Sequence, residues 1–204
     1  MKRVSSWVLV FMFVPMILLS ACRSFTPPVR YYTLSSITEA TAGSEIIGKR
    51  ALTIGILPIE LPGVIDRTQM VRRAGPNQLE VSSLHRWADY PDKLVQQVLE
   101  DDLQALMPAA RIVNLPSPAG LRPDLTVNFR FLELIGTTDR KMHLSAVWDI
   151  AERDMPSETQ SYRINLVQSM KSASFSDLAA AYSHVLGTFC RRVAESLQAF
   201  GTNQ

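Results

Sequence analysis

The stretch LTVNFRFLELIGTTDRKMHLSAVWDI, residues 125–150, decides the fold of this chain. Apolar side chains alternate with polar ones in both of its halves, at Leu125, Val127, Phe129 and Phe131 and then at Leu144, Ala146, Trp148 and Ile150. Alternation of period two predicts β-strands with one face covered by the rest of the protein. The polar link 136–139 suits a hairpin turn, so the two halves are expected to pair antiparallel.

Five further segments extend the predicted sheet. They are rich in β-branched and aromatic residues or alternate like the first two strands, which favours extended structure. These segments are 29–35, 51–59, 69–73, 78–83 and 162–166. The third and fourth are separated by Ala74-Gly75-Pro76-Asn77, a sequence typical of a hairpin turn. The segment 162–166 follows the central pair and predicts an antiparallel meander.

Two segments carry the periodicity of amphipathic helices. The first is predicted to begin at Pro91 and to stop before Pro108, with its acidic run 100–102 on the solvent side. The second runs from about residue 177 to residue 199 and places Cys190 on its apolar face. We therefore predict an α+β fold, with a mixed, mostly antiparallel sheet and two helices packed on one face.

The N-terminal residues are built like a bacterial export signal. Lys2 and Arg3 precede an apolar run over residues 7–19, and small residues follow it. The sequence Leu19-Ser20-Ala21-Cys22 resembles a lipobox, in which cleavage between Ala21 and Cys22 leaves a cysteine that carries lipid. We therefore predict a lipoprotein signal peptide over residues 1–21 and lipid attachment at Cys22.

This anchor sets the expected organisation of the rest of the chain. Residues 22–28 contain two prolines and are predicted to be a lipidated tether, and residues 29–204 a single periplasmic domain. Arg23 stands where an aspartate would favour the inner membrane, so we expect the outer membrane. Two alternatives are a permanent membrane helix, which needs ~20 apolar residues, and a secreted protein with a Cys22–Cys190 disulfide.

Charge and composition argue against several classes of function. Without Lys2 and Arg3 the 21 basic residues become 19, equal to the 19 acidic ones, and no basic cluster suits nucleic acid. The three histidines are scattered, and His184 is expected at the edge of a helix. We predict no catalytic residue, no metal and no cofactor, although a hydrolase with convergent polar groups is a further alternative.

Four short motifs, in order, resemble the PqiC-type auxiliary lipoproteins. They are Arg30-Tyr31-Tyr32-Thr33-Leu34, Ile56-Leu57-Pro58 through Leu61-Pro62, Ile65-Asp66-Arg67-Thr68-Gln69-Met70-Val71 and Trp87-Ala88-Asp89. Proteins of this type accompany lipid-transport systems with MCE (mammalian cell entry) domains, including the paraquat-inducible system. The resemblance implies a non-enzymatic, outer-membrane subunit that faces the periplasm, docks an MCE-domain protein and supports membrane integrity. It also implies a homo-oligomeric ring.

Arginines and aromatic residues in and near these motifs suggest where such a partner binds, above all the loop and hairpin that contain the third motif, because interfaces are enriched in them. The candidate contact residues are Tyr32, Asp66, Arg67, Arg72 and Trp87. For Trp87, packing at the start of the helix is the alternative. For the whole chain, the alternative function is a stand-alone lipid carrier, which requires a dry internal cavity for acyl chains.

Overall fold

A computed structural model describes residues 27–36, 52–117, 120–153 and 159–202 of this protein. The predicted signal peptide, the cleavage site at Ala21 and Cys22, and residues 22–26 of the predicted tether lie outside these ranges. Residues 27–28 of that tether and most of the predicted periplasmic domain lie within them.

Eight strands and two helices are formed in the described ranges, in the order β1 (Arg30–Tyr32), β2 (Thr53–Ile56), β3 (Gln69–Gly75), β4 (Gln78–Trp87), α1 (Pro91–Leu106), β5 (Arg111–Asn114), β6 (Leu125–Thr137), β7 (Lys141–Glu152), β8 (Gln160–Ser169) and α2 (Phe175–Thr202). Every predicted strand and helix is present. The sequence did not predict β5, and it placed the end of β4 four residues too early.

Strand β6 is the centre of the sheet. Along one side it pairs antiparallel with β7, which in turn pairs antiparallel with β8. Its other side is shared, because β2 runs parallel to the beginning of β6 and β3 runs parallel to its end. Outside β2 lies β5, and outside β3 lie β4 and then β1.

The expectation of a mostly antiparallel sheet was wrong. Of the seven strand pairings in the described residues, four are parallel and three are antiparallel. The parallel pairs join segments that are distant in sequence, such as β2 with β5 beyond α1. Long crossovers of this kind return the chain in the same direction, whereas short turns reverse it. The α+β class itself is confirmed.

Both helices contribute to one apolar core with the inner face of the sheet, meaning the face that they cover. At its centre Phe189 of α2 meets Phe129, Phe131 and Trp148, with ring centroids 5.4–5.6 Å apart. Trp148 donates a hydrogen bond from Nε1 to Oγ of Ser196, also on α2. In the described part of the chain, neither helix has the length and hydropathy to cross a membrane.

The acidic run on α1 was only partly predicted correctly. Asp101 is exposed and Glu100 half-buried, but Asp102 is fully buried. Asp102 follows Val95 by seven residues, which places it on the apolar stripe that faces α2. There its carboxylate accepts a hydrogen bond from the thiol of Cys190. Burial, and then the charge of Asp102, raise the pKa of this buried free cysteine.

Candidate partner-binding face

The side of strands β1, β4 and β3 that faces away from the helices, here called the outer face, carries exposed apolar side chains. Glu80 binds Arg72, whose guanidinium lies over the ring of Phe175 at the start of α2, so Glu80 points toward the helices. Successive residues of a strand point to opposite faces. Leu79 and Val81, on either side of Glu80, therefore lie on the outer face, where they are 42 % and 47 % exposed.

Tyr31 extends this outer face to the edge of the sheet. Its neighbour Tyr32 bonds His85, and His85 stacks on Phe175 with ring centroids 4.5 Å apart, so Tyr32 lies on the helix side. Tyr31 consequently points the other way and is 67 % exposed. Together with Leu79 and Val81 it forms an apolar surface on the outer face of β1 and β4, where no described helix covers it.

A groove deepens the outer face beside the β3–β4 hairpin. Its volume is about 310 Å³, at the low end of the range of small-molecule sites. Its apolar lining includes Pro62, Val64 and Ile65 in the loop before β3, Leu79 in the hairpin, and Leu132 and Leu134 in β6. The groove is partly open to solvent, and Val64 and Leu132 are 47 % and 43 % exposed. This shape suits a protruding apolar side chain of a partner better than an enclosed acyl chain.

A β-bulge in β6 makes one wall of the groove. The pairing with β7 shifts between Phe131 and Glu133, which leaves Leu132 as an extra residue. Without a bulge, the alternation that buries Phe129 and Phe131 would continue uninterrupted to residue 133. With it, Leu132 and Glu133 face the groove, and Leu134 returns to the core.

One ion pair crosses the groove. Arg73 on β3 donates to Oε1 of Glu133 over 2.8 Å, and their side chains are 38 % and 32 % exposed. An ion pair of this exposure adds little to folding stability because water screens it. It does place a donor-rich guanidinium and a carboxylate beside an apolar surface, a combination common at protein interfaces.

The structure divides the predicted contact residues into two groups. Asp66 and Arg67 are exposed in the loop that forms part of the groove's rim. Tyr32, Arg72 and Trp87 lie on the helix side instead. Trp87 is only 5 % exposed and packs edge-on against Tyr182 of α2, with ring centroids 5.1 Å apart, as the packing alternative expected.

Tyr32 and Arg72 are engaged with neighbours inside the protein. The hydroxyl of Tyr32 lies 2.7 Å from Nδ1 of His85. Arg72 donates twice to Glu80, over 2.8 Å each, and also to the backbone carbonyl of Ala173. The first bond joins β1 to β4, and the bonds of Arg72 join β3 to β4 and to the segment just before α2. The two side chains therefore position the strands that carry the outer face.

Sequence reasoning did not identify Leu79, Val81, Leu132 or Glu133. A signal was present for Leu132, because the apolar pair Phe131-Leu132 breaks the alternation of β6 and is what a bulge produces. For Leu79 and Val81 the alternation itself was visible, but it does not say which face the helices cover.

Among the described residues, the titratable groups with clearly shifted pKa values do not line the groove. Burial raises the pKa of Glu100, which also accepts a hydrogen bond from Asn114 and so ties α1 to β5. His184 is exposed on α2, as expected, within 2.6 Å of the Gln168 amide. Among the described residues no group of three or more histidine, cysteine, aspartate or glutamate side chains is arranged to hold a metal ion.

Solved structures share this fold. A protein from Xanthomonas campestris, XCC0632, superposes with a TM-score of 0.71 at 11 % identity, covering 86 % of this chain and 98 % of that one. A second crystal structure, of an uncharacterized protein, gives a TM-score of 0.68 at 14 % identity, covering 84 % and 99 %. At such identities the likeness shows the fold alone.

Sequence comparison identifies the family. No curated protein sequence matches this chain. The sequence model of one family, however, matches residues 32–194, which include all of the outer face except Tyr31, the residues that line the groove and most of α2. That match covers well over half of the chain and agrees with the resemblance seen in its motifs. The chain therefore belongs to the ABC-type transport auxiliary lipoprotein components.

Proposed function

We propose that this protein is the outer-membrane lipoprotein subunit of an MCE-type system that moves lipids between membranes, and that its outer face docks the MCE-domain protein. The observation that carries the proposal is the apolar outer face, which remains open in a chain of a transport auxiliary family. Exposed apolar patches rimmed by polar residues mark interaction sites. Docking would help to maintain membrane integrity by holding the transporter at its far membrane.

The groove supplies the central part of the proposed contact. Val64, Leu79 and Leu132 would lose their water-exposed surface to an apolar anchor of the partner, and well-packed anchors of this kind dominate binding energy. Around them, the Arg73–Glu133 pair and the exposed Asp66 and Arg67 would form a polar rim. A rim of charges mainly sets orientation and association rate.

A direct experiment uses the full chain co-expressed with a tagged MCE-domain protein and purified in mild detergent. The test variant is Leu132→Glu, which places a charge in the groove at a position already 43 % exposed. The matched control is Tyr90→Glu, at a 54 % exposed apolar residue outside the groove. We expect the wild type and the control to co-purify with the MCE protein and Leu132→Glu to be depleted by tenfold or more, roughly the effect of 1.4 kcal/mol.

Two outcomes would contradict different parts of this proposal. If the wild-type chain is absent while other subunits remain on the tag, the MCE partner is wrong. If Leu132→Glu co-purifies as well as the control, the partner stands but the groove is not its docking site. Equal unfolding midpoints for the two variants ensure that a loss of binding is not a loss of folding.

The anchor in the proposal is lipid at Cys22, and two or more acyl chains are needed for stable attachment. A full precursor with Cys22→Ala should no longer incorporate labelled palmitate and should leave the membrane fraction. Labelling that persists in this variant would refute the anchor.

Several copies of the chain are also proposed to assemble around one transporter as a homo-oligomeric ring, as the family resemblance implies. Such a ring would present one groove per copy to the partner. Native mass spectrometry of the detergent-solubilised complex, giving the number of copies per MCE assembly, tests this part.

A further inference from the structure

Strand β8 is a long open edge of the sheet. Its ten residues pair with β7 without a register shift, and no other described strand pairs with it. Every second residue of such an edge presents unpaired backbone N–H and C=O groups, which is a template for another strand. The other two edge strands, β1 and β5, have only three and four residues.

The sequence of β8 lacks the devices that usually protect an edge. Natural proteins block edges with proline, inward charges, bulges or short strands. Here there is one charge, Arg163, no proline and no bulge. On the inner face Tyr162, Ile164 and Leu166 pack against the core but stay only partly buried, so a further strand would cover apolar surface.

We propose that two copies of this chain pair through their β8 strands, antiparallel, about a two-fold axis at Ile164. In this register Ile164 faces Ile164 of the second copy and Tyr162 faces Leu166, all on the inner face. At the ends Gln160 faces Gln168. On the opposite face Arg163 lies across from Asn165, so that no like charges meet.

Other registers fit less well. An axis at residue 163 places two arginines directly opposite each other, which is unfavourable. An axis at residue 165 sets Tyr162 against Gln168 rather than against an apolar residue. A shift of one strand by a single residue would turn the apolar residues of one copy to the face opposite those of the other. The arrangement of β8 about Ile164 therefore favours a second copy over an unrelated strand.

This contact goes beyond the proposed function, because it needs no transporter partner and uses the edge of the sheet rather than the groove. A two-fold contact closes on itself and joins copies in pairs. A ring would require an additional contact elsewhere on the molecule.

Cysteine cross-linking of the full chain in detergent tests the register. Opposed residues of an antiparallel pair have Cα atoms about 4.5–5.5 Å apart, within reach of a disulfide. Under mild oxidation we expect Ile164→Cys to give a covalent dimer. Gln160→Cys and Gln168→Cys should each give no covalent dimer alone, because each cysteine would lie opposite a glutamine. The double variant should cross-link, because residue 160 of one copy lies opposite residue 168 of the other. The wild type is the control for Cys190, which is buried.

A second pair of variants tests the same contact through exposed side chains that folding does not need. In the proposed register residue 165 of each copy lies opposite Arg163 of the other, so Asn165→Asp creates two attractive charge pairs per dimer and should tighten self-association. Asn165→Arg would bring like charges together twice and should weaken it. We expect shifts of roughly 2- to 30-fold in opposite directions by analytical ultracentrifugation.

Three results would overturn the β8 pairing. In the first, all cysteine variants cross-link to the same extent. In the second, the wild-type chain stays monomeric and Ile164→Cys gives no covalent dimer. In the third, Ile164→Cys cross-links in cells only to a different protein. Loss of MCE co-purification by Leu132→Glu is independent of all three, so failure here leaves the proposed function standing.

Discussion

Two apolar surfaces of this protein differ in what covers them. On the inner face Phe129 and Phe131 are at most 3 % exposed, because Phe189 of α2 packs over them. On the outer face Leu79, Val81 and Leu132 remain 42–47 % exposed. Buried apolar area stabilises a fold in proportion to the water it excludes. Burial at the inner face therefore stabilises the fold, while the exposed apolar residues of the outer face contribute little to it and are the ones that we propose to bind a partner.

The strongest test of this difference compares one truncation on each surface. Phe189→Ala should lower the free energy of unfolding by about 3–5 kcal/mol, because it opens a cavity among three aromatic rings. Leu132→Ala should cost about 1 kcal/mol or less, since its side chain is already half in water. Urea denaturation followed by circular dichroism measures both. Similar losses for the two variants would mean that the groove belongs to the folding core.

Glycine substitutions sharpen the same comparison. A Cβ on Gly136 of β6 would lie 2.2 Å from Cδ1 of Leu178 on α2, so Gly136→Ala must displace a buried leucine. We expect a loss of about 1–3 kcal/mol from this overpacking. Gly63, in the loop beside the groove, has nothing within 4 Å of such a Cβ. Gly63→Ala should change stability by less than about 0.5 kcal/mol in the same assay.

Alkaline pH should destabilise the protein through two buried groups of the core. Burial raises the pKa of Cys190 and of Tyr182, whose hydroxyl donates to the carbonyl of Leu134. Above about pH 8.5 the unfolded thiol releases its proton while the folded one keeps it, so stability falls as pH rises; above about pH 10 the tyrosine adds to the loss. The slope is about 1.4 kcal/mol per pH unit and group.

The control for this pH effect is Cys190→Ala, which should flatten the profile between about pH 8.5 and pH 10. Leu132→Ala should retain the wild-type slope, because the groove contains neither group. An unchanged slope in Cys190→Ala would show that the thiol is not the group responsible.

The smallest expected effect concerns two arginines that are neighbours in β3. Arg72 binds Glu80 with two hydrogen bonds on the helix side, where the side chain of Arg72 is 17 % exposed and that of Glu80 is 41 % exposed. Arg73 binds Glu133 at the groove, where both side chains are about one-third exposed. Double-mutant cycles should give a coupling of about 0.5–1 kcal/mol for the first pair, whose two hydrogen bonds fix its geometry, and about 0.2–0.5 kcal/mol for the second.

Salt separates the two pairs further. The Arg73–Glu133 coupling should fall toward zero in roughly 1 M salt, because screening acts most on exposed charges. The Arg72–Glu80 coupling should fall less, because the guanidinium of Arg72 is mostly buried and is held by two hydrogen bonds. Equal salt sensitivity would contradict the assignment of the two pairs to different sides of the sheet.

The sequence predicted most of the fold because the core elements are long and strongly periodic. The alternation from Leu125 to Ile150 and the apolar stripe of α2 each repeat several times, so single exceptions do not obscure them. Strand β5 was missed because its four residues offer only two periods of alternation. Parallel pairing was missed because periodicity identifies a strand but not the direction of its neighbour.

The candidate site was less predictable, because it depends on which face of the sheet the helices cover. Residue types pointed to Asp66 and Arg67, which are exposed in the loop at the rim of the groove. They also selected Trp87 and Arg72, whose size and charge serve packing against α2 instead. Asp102 shows the same limit, since nothing in an acidic run tells which member occupies the stripe that faces another helix.

The position of β6 has a consequence for how the protein opens. Because its backbone is bonded to β7 on one side and to β2 and β3 on the other, neither half of the sheet can detach without breaking bonds to this strand. Amide protons of β6 should therefore exchange with deuterated solvent only through global unfolding. Amide protons of β1 and β5, at the edges of the sheet, should exchange through local fraying. The amide protons with the slowest exchange should therefore lie in β6.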